Sequence, residues 1–161
     1  MNVLIIDMGS DVKGESSLPD YGGKIELLSF SHGVAMQITG DVSSSDRASR
    51  KPNHQDMVVT KYLDATSPVL NQACCEGKLF PQVEIIIGHN DSGRMVESMR
   101  YTISNVLISS VSIGGGGGDR PVETLTLNYN KITWRYTSQK SIAGEKEIVV
   151  GKWDLAQNAP K

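Results

Sequence analysis

The sequence predicts a mostly β fold: a small antiparallel β-barrel of two packed sheets, with one short α-helix on its side and a long extended loop. Three observations predict it. Runs with a period of two, rich in β-branched residues, recur along most of the 161 residues. A single segment carries both start and stop signals for a helix. One polar stretch, 40–55, has no periodicity at all.

The strands follow in order. Residues 3–7 form a short β-rich run, and 24–39 read as one long strand. Its even positions are Leu28, Phe30, His32, Val34, Met36 and Ile38; its odd positions from Ser29 on are Ser29, Ser31, Gly33, Ala35 and Gln37. An apolar face opposite a small, polar one marks an antiparallel strand covering a core. Segments 57–62, 83–88, 95–102, 104–113, 122–136 and 148–153 also read as strands, with a hairpin turn at 89–93. Within 122–136 the apolar residues Leu125, Leu127 and Tyr129 are odd, whereas Ile132, Trp134 and Tyr136 are even. A bulge or sharp bend at Asn130 and Lys131 explains the switch and favours a closed or nearly closed barrel.

The helix is placed between Ser67 as N-cap, Pro68 in the first turn and Gly77 as a left-handed stop. Val69, Leu70, Ala73 and Cys74 give it a face to dock on the barrel. Cys74 and Cys75, being adjacent, are poorly placed to bond each other and read as small packing residues with free thiols, in a reducing compartment.

Composition bounds the function. The length suits one domain over 1–161, and 39% hydrophobic with 21% charged residues is globular. A net charge of −2 without a basic stripe argues against nucleic-acid binding. No run reaches the ~18 apolar residues of a membrane span, so no membrane insertion is expected. The first residues lack a basic segment and a secretory apolar stretch, so synthesis in the cytoplasm without an ordinary export signal is expected.

Nothing in the sequence points to an active site. The five glycines Gly114–Gly118 run into Asp119, Arg120 and Pro121, where a phosphate loop would need Lys-Ser/Thr and a helix; a flexible hairpin connection fits better. His32, His54 and His89 lie apart in sequence without metal-ligand spacing, and His32 reads as a hydrogen-bonded core histidine. His89, Asp91 and Ser92 share one tight turn and cannot form a catalytic relay. Glu26, Asp64, Glu84, Glu97 and Glu123 read as solvated strand-surface carboxylates paired with Lys or Arg. The expectation is a non-enzyme with no cofactor and no metal.

Six segments in order carry a specific signal: residues 11–16 (DVKGES), 25–33 (IELLSFSHG), 61–64 (KYLD) with Ser67-Pro68, 106–119 (VLISSVSIGGGGGD), 123–129 (ETLTLNY) and 151–154 (GKWD). Together they resemble the haemolysin-coregulated protein (Hcp) family, the inner-tube subunit of bacterial type VI secretion systems. The resemblance spans essentially the whole chain. It implies a β-barrel with a lateral helix and an extended loop, six copies in a ring, and rings stacked into a tube. It implies a contractile sheath, baseplate and spike protein as partners, and effectors carried in the lumen. It also implies residence in the cytoplasm before firing and then release to the medium or a target cell. The chain departs from the family in having His32 where an aromatic residue is common, and in a glycine loop without the common serine.

Ring closure requires two different complementary faces on each subunit, and exposed strand edges can supply one. On this reading Ser29, Ser31, Gly33 and Gly116 are candidates for the lumen and its cargo. Ser43, Ser44, Ser45, Asp46, Arg47, Arg50 and Lys51 are candidates for contact with the next ring. A phage-type tail-tube protein and a monomeric secreted β-barrel effector are the competing readings. An enzyme with an added toxin domain is disfavoured, since the chain stops at Lys161, soon after the last expected strand.

Overall fold

A computed structural model describes residues 2–38, 51–138 and 146–161. The elements are β1 (Asn2–Asp7), β2 (Ile25–Glu26), β3 (Ser29–Ser31), β4 (Val34–Ala35), β5 (Asn53–His54), β6 (Met57–Tyr62), α1 (Ser67–Glu76), β7 (Phe80–Asp91), β8 (Arg94–Gly114), β9 (Val122–Asn128), β10 (Lys131–Ser138) and β11 (Glu147–Asp154). All pairings are antiparallel.

The 21-residue β8 organises the fold. Its first half lies between β7 and β10, and its second half pairs with β9. One sheet therefore runs β2-β1-β7-β8-β10-β11, and the other β8-β9-β6-β3. The sequence suggests two strands here, 95–102 and 104–113. The structure runs straight through, because Asn105 takes a left-handed φ of 51° and the register shifts between Ile108 and Ser110. These bend the strand without ending it.

The parity switch in 122–136 separates two strands that share the same edge of β8. Asn128 pairs with Leu107 and Lys131 with Ser104, while the Asn130 N–H donates to the Ser104 carbonyl at 3.1 Å across the break. The hairpin turn is tighter than expected. β7 extends to Asp91, and Ser92 and Gly93 both have positive φ (54° and 85°), the mark of a type I′ turn.

The expectation of one continuous strand over 24–39 is corrected. The chain leaves β1 for β6 within two residues: the Leu27 N–H donates to Leu4 O at 2.9 Å and the Leu28 N–H to Thr60 O at 2.8 Å. The ladder is open from β2 to β3, yet consecutive amides join its ends. Crossing between sheets flips the parity. Ile25 and Leu27 are buried, then Phe30 packs against the core from an even position. After Ser31 the chain leaves the barrel, and β4 and β5 pair as a two-stranded arm. Val34, Met36 and Ile38 then have no core beneath them among the described residues and are exposed.

The core is filled by Ile6, Ile85, Ile103 and Ile132 from one sheet and by Met57, Val59, Leu125 and Leu127 from the other. From α1, Leu70 and Ala73 are buried and Cys74 packs partly against them, but Val69 and Cys75 are exposed. The packing role expected of Cys75 does not hold. Gly77 ends the helix at φ 62° as expected. The expected Ser67 cap is displaced by one residue: Ser67 is already helical, and Thr66 holds the cap position without a side-chain cap bond. Asp64 serves the turn instead, its Oδ1 accepting the Thr66 N–H at 2.9 Å.

Beneath that turn lies an ion network that sequence pattern does not reveal. Lys61 is paired with Glu123 across β6 and β9, and both point inward, with side-chain exposures of 0% and 1%. Lys61 Nζ lies 2.6 Å from Glu123 Oε2 and 2.9 Å from Asp64 Oδ1. It also donates to Tyr62 O at 3.0 Å and Ser67 Oγ at 3.3 Å. Glu123 and Asp64 are thus not solvated surface carboxylates. Burial pushes the Asp64 carboxyl up, but hydrogen bonds from Thr66 and Lys61 outweigh it and hold the group below its ordinary range.

The 11–16 segment locks onto the same corner. The Gly14 N–H donates to Gly23 O at 2.7 Å, and a Cβ at Gly14 would lie 2.2 Å from Lys24 O, so a larger residue does not fit. Glu15 Oε1 accepts the Ala65 N–H at 3.2 Å, next to the helix start.

Removing one member of a buried ion pair strands the other charge, at a cost of about 3–5 kcal/mol. Lys61→Met should lose about that much stability in urea denaturation. The double variant Lys61→Met with Glu123→Leu should regain part of it. An unchanged midpoint for the single variant would show that the network does not hold this corner.

Candidate functional site: a hydroxyl-lined sheet face

Strand register assembles the most distinctive surface of the molecule. Across β3, β6, β9 and β8, Ser29 lies opposite Thr60, Thr60 opposite Thr124, and Thr124 opposite Ser112. One step along, Ser31 lies opposite Val58, Val58 opposite Thr126, and Thr126 opposite Ser110. Side chains alternate across a strand. Burying Met57, Val59, Leu125 and Leu127 therefore turns these two rows outward. Only Val58 in them is neither Ser nor Thr, and none of the eight is charged.

The hydroxyls bond one another across strands. Ser29 Oγ lies 2.5 Å from Thr60 Oγ1, and Ser110 Oγ lies 2.6 Å from Thr126 Oγ1. Ser109 Oγ reaches Asp56 Oδ2 at 2.8 Å, and Asn128 Nδ2 reaches Asp56 Oδ1 at 3.0 Å, closing one end of the face. Such a surface is wet, short-chained and neutral. It offers donors and acceptors that rotate to suit what lies on them.

The two ends of this face differ. At the Met57 end of β6 the chain passes into the arm, where the Gln55 N–H donates to Gly33 O at 2.9 Å and Lys51 is exposed. At the Tyr62 end, Tyr62 is opposite Val122 and Val122 opposite Gly114, where the glycine run begins. Arg120 donates to Leu63 O at 2.9 Å and covers the Tyr62 ring at 4.9 Å. A pocket beside it is lined by Glu15, Ser16, Glu26, Tyr62, Asp64 and Arg120.

Of the sequence-derived lumen candidates, Ser29 and Ser31 stand on the hydroxyl face. Gly33 lies at the arm end, packed against the Gln55 side chain, and Gly116 lies in open space at the opposite end. The four therefore do not form one cluster. Ser43, Ser44, Ser45, Asp46, Arg47 and Arg50 lie outside the described residues. Sequence reasoning missed Thr60, Thr124, Thr126, Ser110 and Ser112. The alternation in 57–62 and 122–128 carries that signal, but only register joins it into a face.

Two apolar flanks accompany this face. Among the described residues β10 is the one strand that pairs with β11, which also bridges to Ala159 at Asp154, and its successive Ile148, Val149 and Val150 are 55%, 57% and 53% exposed. Tyr136, opposite Val149, is exposed as well. Val34, Met36 and Ile38 on and beyond the arm form a second exposed set.

Two of the histidines, though apart in sequence, are brought together by the fold. His32 and His54 meet over the same rings, Tyr129 and Trp134. Among the described residues no group of three or more His, Cys, Asp or Glu side chains is placed to hold a metal ion.

Comparison with known proteins bears on this geometry. The family model described as "Type VI secretion system effector, Hcp" matches residues 5–136. Protein hcp1 of Pseudomonas aeruginosa is 37% identical over 158 residues, covering 96% of each chain. A solved structure described as a type six secretion system protein superposes with a TM-score of 0.88 at 29% identity, covering both chains completely. Hcp1 from Salmonella typhimurium shares the fold, with a TM-score of 0.81 at 20% identity over 99% of each chain. The motifs, the barrel with its side helix and the matches over nearly the full length agree: the chain belongs to the Hcp family of type VI secretion system effectors.

Proposed function

We propose that this protein is the structural subunit of a type VI secretion inner tube. It assembles as homohexameric rings that stack head to tail, is expelled when the surrounding sheath contracts, and carries effector proteins in its lumen. The observation that carries the reading is the uncharged Ser/Thr face. Short hydroxyl side chains keep a bore open and hold passing polypeptide weakly and adaptably. Baseplate, sheath and spike protein are the partners of such a tube, and no catalysis is required of it.

The flanks support ring closure. A cyclic contact is heterologous and needs two unlike surfaces. Ile148 to Val150 lie on an edge of β11 that no other described strand pairs, and they offer main-chain groups and apolar side chains together. The arm, with Val34, Met36 and Ile38, offers a different surface to the neighbouring copy.

The poles support stacking. β6 separates the arm end from the pocket with Glu15, Glu26 and Asp64 by about 20 Å at the usual rise per residue. The segment between β4 and β5 carries Arg47, Arg50 and Lys51. A basic stretch in the sequence between β4 and β5 and an acidic pocket at the far end of β6 suit head-to-tail contact, the stretch of one copy meeting the pocket of the next.

In light scattering the native protein should show about six times its 17.5 kDa chain mass. Val149→Glu should reduce that mass to the single chain while leaving the circular-dichroism spectrum intact. A native protein that stays monomeric at high concentration defeats the ring reading. Ser31→Gln and Thr126→Gln should preserve rings and reduce retention of a co-purifying effector severalfold; full retention would remove the hydroxyl face from the cargo path. Reversing Arg47 and Arg50 to Glu should leave rings but shorten tubes seen by electron microscopy, with Glu26→Lys in the same chain restoring length. Long tubes from the Arg47→Glu, Arg50→Glu protein would assign stacking to other contacts.

A further inference from the structure

The root of the arm is fastened to the barrel through two histidines. His32 follows β3 as the chain departs, and His54 lies in β5 where it returns. His32 meets Tyr101 edge-on at 5.9 Å and lies 5.8 Å from Tyr129. His54 stacks on Trp134 at 6.3 Å and 25°, and meets Tyr129 edge-on at 6.3 Å.

The hydrogen bonds have a determined direction. The Tyr129 hydroxyl donates to the Gln55 carbonyl at 3.0 Å, so its only proton is used. It must then accept from His32, whose Nε2 bonds the same hydroxyl. Neutral His32 therefore carries its proton on Nε2, and the chain His32 to Tyr129 to Gln55 ties both sides of the arm root to the residue that follows β9. His54 Nδ1 is buried and meets no partner among the described residues.

A second proton on either ring brings a positive charge among the rings of Tyr101, Tyr129 and Trp134. From the β6 side the charged group is Asp56, whose carboxylate already accepts from Ser109 and Asn128. Arg135, next to Trp134, is on the other face of β10 and pairs with Glu97. Among the described residues no carboxylate is hydrogen-bonded to either imidazole, and two imidazolium ions over the same pair of rings repel.

We propose that His32 and His54 form an acid-sensitive latch that fixes the arm to the barrel at neutral pH and releases it on acidification. Burial lowers the affinity of His32 for a proton, and the charge of His54 lowers it further; burial does the same to His54. A histidine whose folded pKa lies below its unfolded value of 6.5 contributes stability above that pH and loses it as pH falls below. Since the arm leads to the stacking segment, this inference rests in its consequence on the tube reading: stacked rings would separate in acid.

The latch itself is measured without tubes. Amide hydrogen exchange of the native protein, corrected for the intrinsic pH dependence of exchange, is followed from pH 7.5 to 5. Peptides covering 31–35 and 53–56 should lose protection at least tenfold relative to β8 peptides. In the double variant His32→Gln, His54→Gln the arm should exchange alike across the range, while His89→Gln should behave as the native chain. Arm protection independent of pH in the native protein overturns the latch, as does an unchanged pH dependence in the double variant. Imidazole titration by NMR on the unaltered chain gives an answer that does not depend on the variants folding. Midpoints for His32 and His54 below 6.5 are expected, and midpoints at or above it overturn the proposal. Tubes that stay intact while the arm loosens would sink the stacking reading and leave the latch standing.

Discussion

One buried ammonium group holds the barrel to its helix. Lys61 sits at the end of β6, opposite Glu123 near the start of β9, and reaches Asp64 and Ser67 at the entry to α1. Isolating such a charge from water is costly, and what makes it tolerable here is four oxygen atoms converging on one nitrogen. The arrangement also fixes alignment. A slip of β6 by one residue would turn Lys61 outward and leave Glu123 buried without its counter-charge. Asp64 serves the turn and the ion pair at once, and Glu15 fastens the 11–16 segment to the next amide. Strand register, helix placement and the best-marked segment of the sequence therefore depend on one contact.

Much of the fold is legible in the sequence because its signals are local. The strand at 57–62 appears with those bounds, since alternation and burial coincide there. Gly77 stops the helix for the steric reason that marks it in the chain. The parity switch near Asn130 reports a real break. Where reading failed, a distant partner decides the outcome. The stretch 24–39 alternates well enough to pass for one strand, but alternation cannot say which sheet each half joins or where the barrel ends beneath it. Lys61 and Glu123 look like ordinary surface charges until their pairing puts both inside. Ser29 and Ser31 are visible from their own strand, whereas Thr60, Thr124, Thr126, Ser110 and Ser112 become one surface only through register.

The surfaces differ in character from one region to the next. Polar but uncharged side chains gather on one sheet face, apolar ones on the β11 edge and the arm, and carboxylates in a pocket at the far end of β6. The first three regions are uniform and extended, whereas the pocket mixes its carboxylates with Ser16, Tyr62 and Arg120. The buried Lys61 network gathers unlike groups too, there for an architectural end.

The length of β8 has a mechanical consequence. Because one unbroken backbone serves both sheets, a load applied at one end of the barrel passes through covalent bonds to the other. It does not have to cross the softer packing between sheets. Neither sheet can peel away without stripping the same strand from its neighbours, so the barrel yields as one cooperative unit or not at all. A chain built this way couples the two sheets through a single strand, so that a pull on either is felt by both.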